Sequence, residues 1–491
     1  MKRILILFVF IFGSRLFAED LIEKDSIKLT RHSMIVNGKE LNYTASAGSL
    51  IVKNKNTKSK AKIFFVSYTK DCDFSKDRPI SFVFNGGPGS ASVWLHMGAL
   101  GPKRVLSWEE NQSCVPPYQL EDNQETILDF TDIVFIDPVG TGFSDIIEGS
   151  DDDFFGLNED AESVGDFIYG YINSFKRWVS PKYIIGESYG GMRAICVTEY
   201  LQDNYNIFLN GVSLISPVIN CEHYIDSSIS SHLSYALVLP TFAATAWHHH
   251  LLSEELQNKS LEDVISEAKD FALNDYIIAL IQGDQIADFQ REKIVLRLSE
   301  LIGISKEKIE ESNLRIDEFT FLTNLFPKDK STDLVPVAGV HDTRVKGYAR
   351  YLRENPSVDR ISGAYSAIAN DYIRNELEFT SEKPYTILNE TANRDWKWNF
   401  FGSFKNVDLS NNIRHIFATN PNIKIFVGCG YFDLATPFFC NKYAIDHLHL
   451  PISYKEKITL QYYEAGHMPY LHRESHKKLK EDLFKFFSEK N

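Results

Sequence analysis

The chain has 491 residues, of which 44% are hydrophobic and 24% are charged, and its formal net charge is −14. These values are ordinary for a globular protein built as one large domain with an insertion, or as two domains. The negative charge argues against nucleic acids and anionic membranes as partners, because both carry charge of the same sign.

The N-terminal residues are typical of a secretory signal peptide. Lys2 and Arg3 precede the apolar run 4–12, and residues 14–18 can hold a cleavage site. A membrane anchor is the alternative, but the run is too short to span a bilayer comfortably. We therefore expect residues 1–18 to be removed, leaving a secreted or periplasmic protein without a membrane span.

The sequence predicts strands along much of the chain. Residues 28–68 alternate apolar and polar side chains around Asn37-Gly38, a hairpin turn signal that indicates antiparallel pairing. Later apolar runs are short and nearly continuous, which is typical of strands buried on both faces. These runs lie at 80–84, 133–136, 183–185, 212–215, 423–427 and 458–463.

Helical patterns separate some of these strands, at 158–178 and 192–202, and another ends the chain at 472–489. Alternation of strands and helices predicts an α/β fold, with a mostly parallel sheet and right-handed crossovers.

Residues 220–410 interrupt this alternation with long helical patterns at 253–282 and 286–303 and few strand signals. We interpret them as a helical cap inserted over the carboxyl edge of the sheet. The core would then comprise residues 19–219 and 411–491.

Six cysteines form an even set, which permits disulfides in an exported chain. A Cys429–Cys440 bond would brace the loop around Asp433, and buried free thiols are the alternative. No two cysteines have Cys-x-x-Cys spacing, so zinc and thioredoxin-like chemistry are not indicated. We expect no metal and no cofactor.

The segment 183–191 indicates a nucleophile at Ser188. An apolar run ends in Gly186-Glu187-Ser188-Tyr189-Gly190, which matches the pattern G-x-S-x-G. In this pattern a sharp strand-to-helix turn exposes the serine above the sheet, and glycines avoid steric collision. A surface loop is the alternative, but the apolar run before the motif and the helical pattern after it favour a nucleophile.

A serine nucleophile needs a base to remove its proton and an acid to orient that base. His467 follows the predicted strand 458–463, where the base is expected, and Asp433 follows the predicted strand 423–427, where the acid is expected. A capping or turn role is the alternative for Asp433.

The triplet His248-His249-His250 is a competing histidine cluster. Adjacent helical residues face different directions, so these three side chains cannot share one metal ion. We expect them to be solvated.

An oxyanion hole requires N–H groups aimed at the developing negative charge. We expect one from Tyr189 and one from the glycine-rich run 85–90, which directly follows the predicted strand 80–84. A phosphate-binding loop is the alternative for this run, but the sequence lacks both glycine patterns of nucleotide-binding loops.

Five motifs in this order resemble the serine carboxypeptidase family, peptidases of the α/β-hydrolase fold with a helical insertion. They are Asn85-Gly86-Gly87-Pro88-Gly89-Ser90, Asp137-Pro138-Val139-Gly140-Thr141-Gly142-Phe143-Ser144, Gly186-Glu187-Ser188-Tyr189-Gly190-Gly191, Asp433 with Thr436-Pro437, and Gly466-His467-Met468.

The resemblance implies that Ser188 is the nucleophile, His467 the base and Asp433 its orienting acid. It implies that the N–H groups of Gly87 and Tyr189 form the oxyanion hole.

The resemblance also implies that Asn85 and Glu187 bind the free carboxylate of a peptide. Two carboxyl groups share a hydrogen bond only if one is protonated, so the pKa of Glu187 must be raised and acidic pH should favour activity.

Two positions depart from the family's best-known members. Val83 stands where they carry Trp, and Ala99 stands where they carry a second Glu that bonds to the first. Glu187 therefore needs another partner, and His96 and Arg193 are nearby in the sequence.

The sequence thus predicts an exported serine carboxypeptidase that forms an acyl-enzyme and releases C-terminal amino acids from peptides. An esterase or acyltransferase with the same triad is the alternative, and the missing second Glu favours it. A catalytically inactive binding protein is a third reading, which the complete set of serine, acid and histidine disfavours.

Overall fold

The computed structural model describes residues 22–24, 26–72, 77–106, 114–224, 232–328, 332, 334–349, 355–398, 403 and 406–489. The predicted signal peptide, residues 1–18, lies outside the described residues.

The strands lie mostly where the apolar runs predict them. In chain order they are β1 Ile22–Lys24, β2 Lys28–Val36, β3 Lys39–Lys53, β4 Lys60–Lys70, β5 Ile80–Phe84, β6 Lys103–Val105, β7 Leu120–Asp122, β8 Asp132–Ile136, β9 Asp145–Glu148, β10 Lys182–Glu187, β11 Gly211–Ile215, β12 Val335–Ala338, β13 Lys346–Ala349, β14 Lys424–Gly430 and β15 Ile458–Tyr463.

In the described part of the chain, the central sheet has 11 strands with the path β1-β3-β4-β8-β5-β10-β11-β14-β15. The strands from β8 through β5, β10, β11 and β14 to β15 pair in parallel, whereas β8 pairs antiparallel with β4 on its other side. The predicted hairpin is present, because β2 and β3 pair antiparallel around Asn37 and Gly38, which both have positive φ. The predicted α/β fold class, with a mostly parallel sheet, is confirmed.

The helices flank this sheet and fill much of the insertion. In chain order they are α1 Leu157–Ser174, α2 Tyr189–Tyr205, α3 His232–His248, α4 Glu254–Gln257, α5 Leu261–Phe271, α6 Ile277–Gln282, α7 Asp288–Ile302, α8 Lys306–Glu311, α9 Glu318–Asn324, α10 Pro356–Asp371, α11 Glu390–Arg394, α12 Ser410–Thr419, α13 Phe438–Asp446, α14 Ile452–Lys455 and α15 Arg473–Ser488. π-Helical turns lie at Leu95–Leu100, Ala272–Tyr276 and Tyr372–Glu376.

Buried apolar side chains cover both faces of the sheet. One cluster joins the sheet to α1, α2, α12 and α13, and a second joins it to α10, α15 and the turn Leu95–Leu100. A third cluster lies within the insertion, between α3, α5, α7 and α9. The sheet is therefore buried on both sides, as its continuous apolar strands require.

The insertion differs from the sequence expectation in detail. The helical pattern 253–282 is divided into α4, α5, a π-helical turn and α6, and the unpredicted strands β12 and β13 form a hairpin. Helix α10 lies within 220–410, yet its side chains pack into the second cluster beside the sheet.

The cysteines and the helices bear on two further expectations. Cys429 and Cys440 are both free and buried, so the Cys429–Cys440 pairing is wrong and the alternative of buried free thiols holds for these two residues. Among the described helices, none combines the length and the apolar character needed to cross a bilayer.

A buried ion-pair network ties together the amino ends of neighbouring strands. Asp132, at the start of β8, lies 2.7 Å from Arg78 Nε and 2.6 Å from Arg177 Nη1, and its side chain is 1% exposed. Arg78 precedes β5 and Arg177 follows α1, so one carboxylate links three segments at the sheet edge where their chains meet.

Asp132→Asn should lower the free energy of unfolding by about 3–5 kcal/mol, because the buried guanidinium group of Arg177 and the mostly buried one of Arg78 lose their counter-charge. Urea unfolding measures this loss. As a control, Asp446→Ala removes an exposed pair with Lys442 and should cost less than about 1 kcal/mol. Equal small effects of both substitutions would contradict the stabilising role of the network.

Candidate active site

The predicted catalytic residues lie at the carboxyl ends of adjacent parallel strands. Ser188 follows β10 directly, and Asn85 follows β5, which pairs with β10. Asp433 and His467 lie on the loops after β14 and β15, which also pair with each other. The strand order therefore brings these loops to one edge of the sheet.

Ser188 occupies a strained turn between β10 and α2. Its φ of 61° and ψ of −128° are unusual for a residue with a side chain. A Cβ atom on Gly186 would lie 2.1 Å from the carbonyl oxygen of Gly190, so this position accepts only glycine. The backbone thus forms the sharp strand-to-helix turn that the sequence predicted, with Gly186 required by close backbone contact, and the nucleophilic role of Ser188 stays a prediction.

Asp433 and His467 form a buried pair. His467 Nδ1 lies 2.8 Å from Asp433 Oδ2, and the two side chains are 3% and 0% exposed. Thr436 holds the carboxylate from its other side, with its N–H 2.9 Å from Oδ1 and its hydroxyl 2.5 Å from Oδ2. Asp433 Oδ2 therefore accepts the Nδ1 proton, which leaves His467 Nε2 as the basic nitrogen.

The charge around His467 supports a basic imidazole. Burial lowers the pKa of His467, but the Asp433 carboxylate, its hydrogen bond and the nearby Glu187 outweigh burial and leave the pKa above its ordinary value. In the described structure the ring's hydrogen bonds engage Nδ1. The contact between Nε2 and the Ser188 hydroxyl remains a prediction, and such contacts often tighten only with bound substrate.

The glycine-rich loop lies against the start of α2. A Cβ atom on Gly86 would lie 2.6 Å from the backbone nitrogen of Tyr189, and Gly87 has a φ of 105°. The loop thus brings its own backbone beside Tyr189, the other predicted oxyanion donor.

A buried arginine fixes this loop to the helix. Arg193 Nη1 donates to the carbonyl oxygen of Asn85 at 2.5 Å, and Arg193 Nε donates to Asp160 Oδ2 at 2.7 Å. The Tyr189 hydroxyl also donates to Asp160 Oδ2, at 2.9 Å. Arg193 therefore pairs with Asp160 and positions the backbone of the loop, so the sequence-based suggestion that it partners Glu187 is wrong.

His96 also bonds to a residue outside the candidate site. Its Nε2 lies 2.7 Å from the Tyr68 hydroxyl, and burial lowers the pKa of His96 to about 3. It belongs to a buried aromatic cluster with Phe135, not to the site.

Glu187 is a buried acid next to the nucleophile. Asn85 Nδ2 donates to Glu187 Oε1 at 3.1 Å, and Asn85 Oδ1 accepts from the N–H of Leu95 at 2.9 Å. Burial raises the pKa of Glu187 to about 7, despite the nearby His467 that lowers it. The raised pKa that the resemblance required is therefore present.

Tyr470 is the neighbour of Glu187 that the sequence did not predict. It is fully buried and interacts electrostatically with both Glu187 and Asn85. Within the described residues, however, the Tyr470 hydroxyl and Glu187 Oε2 lack a partner in full hydrogen-bond geometry. Two polar atoms thus lie close together with unused hydrogen-bonding capacity, and the only sequence signal was the position of Tyr470 shortly after His467.

The two departures from the family pattern are apolar and buried. Val83 packs in the second core cluster. Ala99 is buried too, and its carbonyl oxygen accepts hydrogen bonds from Asn123 Nδ2 at 2.8 Å and His476 Nε2 at 2.7 Å. Neither position supplies a partner for Glu187.

One group of potential metal ligands occurs among the described residues. Glu199, Asp203 and His415 each offer a ligand atom, and these atoms lie within 4.8 Å of one another at the surface between α2 and α12. His415 Nε2 already bonds to Asp203 at 3.0 Å, and Glu199 bonds to Asn412. The three side chains thus have hydrogen-bond partners and are not part of the candidate active site.

Comparison with known proteins identifies the family. The family model described as serine carboxypeptidase matches residues 38–480. The chain belongs to the serine carboxypeptidase family. The crystal structure of KEX1, a prohormone-processing carboxypeptidase from Saccharomyces cerevisiae, superposes with a TM-score of 0.58 at 15% identity, covering 90% of this chain and 91% of that chain. The α/β-hydrolase fold expected from the sequence is thereby confirmed.

Curated relatives of this chain match over shorter segments. Serine carboxypeptidase-like 33 of Arabidopsis thaliana is 27% identical over 44% of this chain and 42% of its own length. The pheromone-processing carboxypeptidase KEX1 of Saccharomyces cerevisiae is 34% identical over 27% of this chain and 18% of its own length. The matched segments thus span less than half of either relative.

Gly186→Ala should distort the turn that carries Ser188, because its methyl group collides with the Gly190 carbonyl. We expect labelling by a fluorophosphonate, which reports an activated serine, to slow by about 100-fold or more. The control is Gly363→Ala, whose nearest neighbour is the movable hydroxyl of Tyr118 at 3.0 Å. Unchanged labelling of Gly186→Ala would show that the tight turn is not required.

Proposed function

We propose that this protein is a serine carboxypeptidase that removes C-terminal amino acids from peptides through an acyl-enzyme at Ser188. The observation that carries the proposal is the position of Glu187. A buried carboxyl group with a raised pKa directly precedes the nucleophile and lies near the Asp433–His467 pair. This arrangement suits a substrate that presents its own carboxylate beside the scissile bond.

Acylation begins when His467 Nε2 takes the proton of the Ser188 hydroxyl as Oγ attacks the scissile carbonyl carbon. The carbonyl oxygen becomes negative and accepts hydrogen bonds from the N–H groups of Gly87 and Tyr189. The Asp433 carboxylate stabilises the imidazolium that forms at His467.

Collapse of this intermediate breaks the scissile C–N bond. His467 gives its proton to the leaving nitrogen, and the C-terminal amino acid departs. Water then attacks the acyl group, with His467 again taking the proton, and Ser188 is regenerated with release of the shortened peptide.

Carboxylate recognition in this proposal uses Glu187 in its protonated form. A carboxylic acid donates one hydrogen bond to the substrate carboxylate, whereas two carboxylates would repel each other. The Tyr470 hydroxyl is a second donor beside Glu187, and it occupies the role that a second acid at position 99 would otherwise take. Support for this assignment comes from the unused hydrogen-bonding capacity of both groups.

The alternative function is that of an esterase or acyltransferase with the same catalytic residues. The observation that favours it is Ala99, which provides no second carboxyl group. Such an enzyme would not depend on a free carboxylate next to the bond that it cleaves.

We also propose export of the mature chain after removal of residues 1–18. The insertion 220–410 would cap a hydrolase core formed by residues 19–219 and 411–491. Support for this division comes from the helices α3 to α9, which follow β11 and build their own apolar cluster.

Cleavage of an N-blocked dipeptide and of its C-terminal amide separates the two functions. We expect kcat/KM for the amide to be lower by about 100-fold, because the amide leaves the carboxylate site without its anion. Liquid chromatography of the released products gives both rates. Equal rates on the two substrates would contradict the carboxypeptidase proposal and favour the alternative.

The pH dependence of KM tests the role of Glu187. Its carboxyl group, with a pKa of about 7, is protonated below that pH and charged above it. We therefore expect KM for the blocked dipeptide to be constant at acidic pH and to rise about tenfold per unit above neutrality.

Glu187→Gln is the matched control, since an amide stays neutral and its NH₂ group still donates. Its KM should not change with pH over the same range. Nearly all Glu187 is ionised at about pH 8.5. A wild-type KM that stays constant up to that pH would contradict the proposed binding mode.

A further inference from the structure

The loop between β12 and β13, residues 339–345, contacts the segments that carry both the acid and the base. The backbone N–H of His467 donates to the carbonyl oxygen of His341 at 2.5 Å. On either side of Asp433, the N–H of Thr343 donates to the Phe432 carbonyl and the N–H of Leu434 donates to the Val340 carbonyl, each at 3.0 Å. A loop of the insertion is therefore hydrogen-bonded to the catalytic segments at three points.

A glycine next to the base allows this close approach. A Cβ atom on Gly466 would lie 2.3 Å from the His341 carbonyl oxygen and 2.6 Å from Asp342 Cα. Any side chain at Gly466 would push the loop away from His467. The glycine of the Gly466-His467-Met468 motif is thus explained in this protein by contact with the insertion.

The His341 ring packs against the His467 ring. The ring centroids are 4.9 Å apart at an interplanar angle of 77°, and Asn355 Nδ2 donates to His341 Nδ1. Burial, together with the nearby His467, lowers the pKa of His341 to about 3, although Asp433 opposes this. The ring therefore contacts the catalytic imidazole as a neutral group and does not repel the imidazolium.

The loop is also bonded to helix α3 of the insertion. The Thr343 and Thr245 hydroxyls lie 2.6 Å apart and both residues are fully buried. His249 Nε2 lies 2.7 Å from the carbonyl oxygen of Thr343, and the side chains of His248 and His249 are half-buried. The expectation that the histidine triplet is solvated is therefore wrong for these two residues, because they face the loop.

Arg344 also connects the loop to the segment that carries His467. Its guanidinium group bonds to Asp342, with Nη2 2.8 Å from Oδ2, and its Nη1 donates to the Glu464 carbonyl at 2.9 Å. Glu464 lies between β15 and His467, so the loop holds this segment at a second place.

We propose that the loop 339–345 is a positioning element that connects α3 of the insertion to the catalytic acid and base, with Thr343 and His341 as its positioning residues. The inference rests on the proposed triad of Ser188, Asp433 and His467. It makes the alignment of the triad depend on how the insertion packs, because the same loop bonds to α3 and to both catalytic segments.

The test compares two threonines of α3 in the full-length chain. Thr245→Val removes the hydroxyl that contacts Thr343, whereas the hydroxyl of the equally buried Thr241 has no partner among the described residues. We expect Thr245→Val to lower kcat by about 10-fold at unchanged KM, and Thr241→Val to retain the unmodified rate. Equal kcat values for both variants would overturn the inference.

A second pair of variants addresses His341 directly. His341→Ala removes the ring that packs on His467 and should slow fluorophosphonate labelling of Ser188 by about 10-fold or more. His341→Phe keeps a neutral ring and should recover most of that rate. If His341→Ala labels as fast as the unmodified protein, or if His341→Phe gives no recovery, the proposed role of His341 is wrong.

Labelling separates this inference from the proposed function, because a fluorophosphonate reacts with any activated serine. An unmodified protein that is not labelled contradicts the proposed function itself. An unmodified protein that is labelled, with the Thr245 and His341 variants equally fast, contradicts only the positioning role of the loop. Circular dichroism establishes that each variant is folded.

Discussion

The hydrogen bond between Asp433 and His467 is the interaction on which the candidate site depends. Burying a carboxylate is costly unless its oxygens are bonded, and here they accept hydrogen bonds from His467 and from both the N–H and the hydroxyl of Thr436. The pair fixes the tautomer that makes Nε2 a base. It forms because β14 and β15 are parallel neighbours whose following loops meet at one edge of the sheet.

The two carboxyl groups at this edge, Asp433 and Glu187, lie in different environments. Asp433 is surrounded by donors, which suits a charged acid that stabilises an imidazolium. Glu187 receives one hydrogen bond from Asn85 and is otherwise enclosed, which raises its pKa to about 7. The site can therefore hold a charged acid and a neutral acid near one histidine, a division that an enzyme acting next to a carboxylate requires.

Much of the fold and of the candidate catalytic set follows from local sequence patterns. Continuous apolar runs identify buried strands, and β5 and β15 have the bounds that these runs predict. The predicted nucleophile elbow is partly local, because a Cβ atom on Gly186 would collide with the carbonyl group of Gly190, four residues later. The positions of Asp433 and His467 follow from strand order, which alternation of strands and helices makes predictable.

The missed features depend on contacts between distant parts of the chain. Arg193 bonds to Asp160 and to the Asn85 carbonyl, and no local pattern connects these three residues. Tyr470 lies beside Glu187 only after the segment following β15 folds back towards β10. The hairpin β12–β13 is short and lies among helices, so its sequence gives a weak strand signal although its loop reaches both catalytic segments.

The central claim is that Asp433 holds His467 so that it activates Ser188. Rapid-mixing kinetics with a chromogenic ester test it most directly, by comparing the acylation burst of the unmodified protein with that of Asp433→Asn. The account predicts a burst stoichiometric with enzyme and a loss of about 10⁴-fold in acylation rate for Asp433→Asn, because the wrong tautomer is then held. An acylation rate that is the same in both proteins would contradict it.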